Sequence, residues 1–112
     1  MKRTITNLEN DKKISELVKM LKKSEYSKPL EILGWSGNPT GRYKYLPFYY
    51  PTLGMLWFPE TLYSQGEVAQ VVKFLNAQRG YEEYDFYEAG EYRVKDEQAW
   101  GWTILINPKS SK

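Results

Sequence analysis

The chain contains neither cysteine nor histidine. Zinc centres built from thiolates and imidazoles are therefore excluded, as are Ser-His-Asp and Cys-His nucleophiles and histidine general bases. A nuclease that orients its metal with a histidine pair is excluded as well. Disulfides cannot contribute to stability, so packing has to supply it. No apolar run is long enough for a membrane-spanning helix, which needs about 18 residues or more. The basic residues of MKRTITNLEN lack the apolar segment that follows them in a secretory leader, so a cytoplasmic protein is expected. The turn Ser36–Gly41 has no Gly-Lys-Ser/Thr ending of a phosphate loop, and no two carboxylates have a spacing that singles them out as a glycosidase pair. No cofactor, metal or catalytic residue is expected on these grounds.

Aromatic residues, by contrast, are abundant. They make up 16% of the 112 residues, and ten are tyrosine. The segment GRYKYLPFYYPTLGMLWFP, Gly41–Pro59, holds seven aromatic rings in nineteen residues. A Tyr or Trp side chain buries about 150–250 Å², so this many rings left in water would form a patch far larger than monomers usually expose. Most must seal a core, and the remainder can contact a second molecule.

The length fits one domain over residues 1–112, with 1–9 and 108–112 expected to fray. Ile14, Leu17, Val18 and Leu21 recur at helical spacing and predict a helix over 11–23. Its N-cap is Asn10, unless Thr6 and Glu9 form a capping box. Lys2–Thr6 also suits a short edge strand. Lys28-Pro29 opens an extended run over Leu30–Trp35, and Ser36–Gly41 reads as a turn. Pro39, Pro47, Pro51 and Pro59 forbid a helix through the aromatic segment, and Leu53–Phe58 is its clearest strand. Ser64 and Glu67 form a capping box ahead of Val68, Val71, Val72 and Leu75, with Gly80 as the stop. Glu83–Val94 reads as a strand that Ala89-Gly90 breaks with a bulge. Lys95–Gln98 is a hairpin loop, and Trp100, Trp102, Ile104 and Ile106 share one face of the last strand.

The order α-β-β-α-β-β predicts a two-layer α+β fold: a mixed or antiparallel four-stranded sheet with two helices on one face. The strand–helix–strand passage over 53–94 suggests a right-handed crossover between parallel neighbours.

Charge is unevenly distributed. Residues 1–50 carry ten Lys or Arg against five Asp or Glu, whereas residues 51–94 carry three against seven. Three functional readings follow. The leading one is a non-enzymatic, self-associating interaction module, because Tyr49, Tyr50, Met55 and Trp57 are residue types that buried interface cores favour. The alternative is nucleic-acid binding. Arg42, Tyr43, Lys44 and Tyr45 alternate cation and ring, which on a strand puts charges on one side and rings on the other. Lys12, Lys19 and Lys23 fall on the helix face opposite the apolar stripe and would extend a phosphate track. The third is a metal-dependent nuclease using Glu82, Glu83, Asp85, Glu88 and Glu91. Against it, Glu91-Tyr92-Arg93 has arginine where the Glu-x-Lys pattern has a proton-labile amine, and an acidic edge strand also protects against aggregation.

In its overall character (Lys-, Glu- and Tyr-rich, free of cysteine) the chain resembles small proteins of viruses that infect hyperthermophilic archaea. That resemblance implies a heat-stable protein working in the host cytoplasm or in particle assembly.

Overall fold

A computed structural model describes residues 8–94 and 99–109. The proposed strand Lys2–Thr6, the Thr6 side of the capping box and the loop Lys95–Gln98 lie outside them. The elements in order are α1 (Leu8–Lys22), β1 (Lys28–Leu33), β2 (Pro39–Leu46), β3 (Phe48–Tyr50), β4 (Met55–Pro59), α2 (Gln65–Asn76), β5 (Tyr84–Val94) and β6 (Ala99–Pro108). The fold is α+β, as expected. The strands, however, divide between two antiparallel sheets: a four-stranded sheet in the order β3-β4-β6-β5 and a separate β1-β2 ribbon.

One apolar core holds the two helices to one face of the four-stranded sheet. Ile14, Leu17, Val18 and Leu21 from α1 meet Val68, Val71 and Leu75 from α2. Beneath them lie Leu56 and Phe58 of β4, Tyr84 and Phe86 of β5, and Ile104 and Ile106 of β6. Each fully buried aliphatic or phenyl side chain contributes about 1.5–3 kcal/mol, an upper estimate because unfolded chains already bury some surface.

The crossover expectation needs correction. β4 and β5 run the same way, but β6 lies between them and is antiparallel to both. β6 takes the centre because it is apolar on both sides. Ile104 and Ile106 face the helices, while Gly101, Thr103 and Leu105 face the other way. On that second face Met55, Trp57 and Val94 form a smaller core, closed by Phe48, Tyr50, Ala99 and Leu105. Trp57 lies directly on Gly101, where a Cβ would come within 2.4 Å of the indole. Its Nε1 donates across β6 to the Tyr92 carbonyl at 2.9 Å.

Local signals explain the helix ends. Ser64 Oγ accepts from the Glu67 amide at 3.1 Å, and the Ser64 amide donates back to Glu67 Oε1 at 2.8 Å, which is the predicted capping box. α2 stops at Asn76 rather than at Gly80. The Asn76 side chain donates to the Phe86 carbonyl at 2.8 Å and accepts from the Phe86 amide at 3.2 Å, latching the helix end to β5. Asn10 is not an N-cap, because α1 already includes Leu8; its Oδ1 accepts from the Tyr84 hydroxyl at 2.6 Å. The bulge in β5 falls between Glu88 and Gly90, as the broken alternation predicts. Pro108 belongs to β6, and the Lys109 amide donates to the Glu83 carbonyl at 2.7 Å, so the chain is held there rather than frayed.

Candidate nucleic-acid interface

The ribbon forms because β1 and β2 each carry a polar or aromatic side that no core covers. Pairing aligns Leu30 with Lys44, Glu31 with Tyr43, and Ile32 with Arg42. Opposed residues share a face. Leu30, Ile32, Arg42 and Lys44 therefore lie on one side, and Glu31, Tyr43 and Tyr45 on the other. β2 is exposed along its whole length except Leu46. The molecule extends 52 Å along one axis against 28 and 24 Å along the others.

The far end of the ribbon is a turn in which the Gly34 amide donates to the Asn38 carbonyl and the Gly37 amide to the Gly34 carbonyl, both at 2.8 Å. Trp35 sits in this turn, fully exposed. An irregularity follows at Thr40 and Gly41. Thr40 Oγ1 donates to the Ile32 carbonyl at 2.7 Å and accepts from the Arg42 amide at 3.2 Å. Gly41 adopts φ +79°, a left-handed conformation that glycine takes without a Cβ penalty. Regular pairing resumes at Arg42, opposite Ile32.

An isolated two-stranded hairpin is marginal in water, and here its base is clamped to the body. Lys28 Nζ pairs with Glu67 at 2.9 Å, donates to the Leu62 carbonyl and stands 4.7 Å from the Tyr63 ring centroid. The Tyr63 hydroxyl donates to the Tyr26 carbonyl at 2.6 Å. Leu46 is fully buried, and the Leu46–Pro47 peptide is cis. The Ser64 amide and Lys28 both hold the Glu67 carboxyl below its usual range, the former more strongly.

This anchoring puts the base of the ribbon beside α1. Ser15, Val18, Lys19 and Lys22 recur at helical spacing and form one wall of a groove of about 500 Å³; Lys44 and Tyr45 line its other side. An adjoining hollow places Tyr45 against Lys19, Lys22 and Lys23. Lys44 Nζ also lies 5.4 Å from the Phe48 ring. Lys44 and Tyr45 thus share one surface with helix lysines far from them in sequence, whereas Arg42 and Tyr43 lie further along the exposed strand and line neither hollow. Lys12 does not join it. It lies a turn or more away, in a hollow with Lys13, Glu16 and Glu83. Lys22 is the residue that sequence reasoning missed. Its spacing of four from Val18 is the signal that puts it on the groove wall.

α1 is held in register by Tyr49, which also lines the groove, and by Lys13, which does not. The Tyr49 hydroxyl donates to Asp11 Oδ1 at 2.8 Å. Burial, and then that bond, push the Tyr49 phenol well above its usual range. Lys13 is committed to Glu83 and to the Gly80 carbonyl. Its bond to Glu83 raises the ammonium and holds the Glu83 carboxyl low.

Of the four residues read as an interface, Met55 and Trp57 are 3% and 1% exposed and build the second core. Tyr49 and Tyr50 are half-buried, Tyr49 as the tie to Asp11 and Tyr50 against that second core. In the acidic segment Glu83 is paired with Lys13, and Glu60 shares a hydrogen bond with Glu91 that holds its carboxyl above the usual range. Among the described residues no three carboxylates gather as a metal site would require. No described helix is long and apolar enough to cross a membrane.

No family model matches the chain, no curated protein matches it, and no solved structure matches it.

Proposed function

We propose that this protein binds nucleic acid at the groove between α1 and the base of the ribbon and outward along β2, with Lys19, Lys22, Lys23, Arg42 and Lys44 contacting phosphates and Tyr43 and Tyr45 contacting bases. The observation that carries this reading is that Lys19, Lys22 and Lys23 of α1 meet Lys44 and Tyr45 at the base of the ribbon, from which Arg42 and Tyr43 continue along an exposed strand. Phosphate contacts supply most of the affinity in such interfaces and make it depend on salt. Exposed rings beside cations add base stacking, worth about 1–3 kcal/mol per base. Self-association through Tyr49, Tyr50, Met55 and Trp57 has less support, because two of the four side chains are enclosed within the chain itself.

Filter binding of a labelled oligonucleotide at 50 and 200 mM salt tests the proposal. Neutralising about four to five phosphates corresponds to a loss of roughly two to three orders of magnitude in affinity over that range. The double substitution Arg42→Glu, Lys44→Glu should lower retention at least about tenfold at low salt and leave the thermal midpoint nearly unchanged, since both side chains are exposed. Absence of binding at low salt, or binding indifferent to salt, would refute it.

A further inference from the structure

The ring-bearing face of the ribbon also carries a carboxylate, which a surface built only to attract phosphate would avoid. Glu31 is exposed and stands directly opposite Tyr43 in the antiparallel register, on the same side as Tyr45. Tyr43 and Tyr45 are 48% and 54% exposed. Two residues of antiparallel strand advance about 6.8 Å. That is twice the rise of roughly 3.4 Å per nucleotide along a strand of duplex DNA, so two rings standing parallel at this spacing would leave room for one flat base. The Tyr45 end of the slot is bordered by Lys19, Lys22 and Lys23, which places cations where the phosphates of that nucleotide would run. A base paired in a duplex cannot enter, because it is already stacked and its pairing edge is occupied.

We infer that Tyr43 and Tyr45 form a slot for one unpaired base and that Glu31 reads it, favouring bases that carry an exocyclic amino group. A carboxylate only accepts hydrogen bonds. Cytosine offers an N4 amino donor, and carboxylate-to-cytosine-N4 is an established pairing in base readout. Thymine presents a carbonyl at the same position, which a carboxylate repels. The inference rests on the nucleic-acid reading above and adds to it a strandedness and a base preference.

The test compares single-stranded oligo(dC) and oligo(dT) of equal length by fluorescence anisotropy at pH 7.5 and low salt, with the corresponding duplex as competitor. The two homopolymers differ at the position that Glu31 reads but match in phosphate charge. The native chain should bind oligo(dC) at least about fivefold more tightly than oligo(dT), and duplex should compete poorly. Glu31→Gln should bring the ratio close to one, because an amide both donates and accepts. Tyr43→Ala should weaken both oligonucleotides by about fivefold or more. Both residues are exposed, so circular dichroism should confirm an unchanged fold. Salt-dependent binding with equal affinity for the two homopolymers overturns the slot and leaves the broader proposal standing. A preference that survives Glu31→Gln overturns the role of Glu31. No binding to either oligonucleotide overturns both readings.

Discussion

The same side chain serves two purposes in two regions of this molecule. In the body, tyrosine hydroxyls are bonded to defined protein partners: Tyr49 to Asp11, Tyr63 to the Tyr26 carbonyl and Tyr84 to Asn10. Their rings pack on the core, with Tyr63 set edge-on to Phe58 at 5.0 Å and Tyr84 6.3 Å from Phe86. In the ribbon, Tyr43 and Tyr45 stand about half in water beside exposed cations. An aromatic-rich composition therefore does not mean one thing. In the body the rings seal the core of a chain without disulfides, whereas in the ribbon they remain half exposed.

Substitutions that affect stability in one region and binding in the other would break or sharpen this contrast. The largest loss of stability is expected from Phe58→Ala in the shared core. Its ring is fully buried, and truncations of this kind cost about 3–5 kcal/mol; chemical denaturation with a matched slope would measure it. Gly101→Ala comes next. The added methyl would meet the Trp57 ring at 2.4 Å and the Phe58 carbonyl at 2.6 Å, and overpacking of this sort costs about 1–3 kcal/mol. Gly41→Ala in the ribbon is its control. Nothing lies within 4 Å of a Cβ there, so only the left-handed backbone is strained, by about 1 kcal/mol.

Tyr63→Phe is expected to cost about 1 kcal/mol at neutral pH, because the Tyr26 carbonyl loses its donor. It also carries a signature in pH. Burial, and then the Glu67 carboxylate, hold the folded-state phenol above its usual range. The folded protein thus retains a proton that the unfolded chain releases near pH 10. The corresponding stability is complete below about pH 10 and is lost as pH rises further. Tyr63→Phe should flatten that alkaline decline in a denaturation series from pH 8 to 11, and an unchanged slope would assign the decline to other groups, such as Tyr49.

The smallest effect on stability, within about 0.5 kcal/mol, is expected for Tyr43→Ala with Tyr45→Ala. The same pair should reduce oligonucleotide retention at least about tenfold. A fall in thermal midpoint as large as that of a core variant would erase the distinction between the two regions.

Much of the body was legible because its signals are local. The stripe Ile14, Leu17, Val18, Leu21 marks α1, Ser64 and Glu67 start α2, and the break at Ala89-Gly90 marks the bulge in β5. Each depends on residues within a turn or two of each other. For Arg42–Tyr45 only the alternation of cation and ring was legible; that the segment belongs to a strand, β2, was not among the expected elements. Lys22 as a groove residue was not legible, nor was the burial of Met55 and Trp57, nor the stop at Asn76.

What the sequence alone determined is the two helices, four of the six strands, the apolar face of each helix and the exclusion of thiol and imidazole chemistry, all of which follow from residue type and short-range periodicity; β2 and β3 were not among the expected strands. Which strands pair was decided only by tertiary structure. β6 claimed the centre of the sheet because it is apolar on both faces. The β1-β2 pair, polar and aromatic along β2, was left outside as a ribbon held at its base. That exclusion brings Tyr45 beside the lysines of α1. Proximity of residues more than twenty positions apart depends on how all the buried surfaces are shared, and no local pattern encodes it.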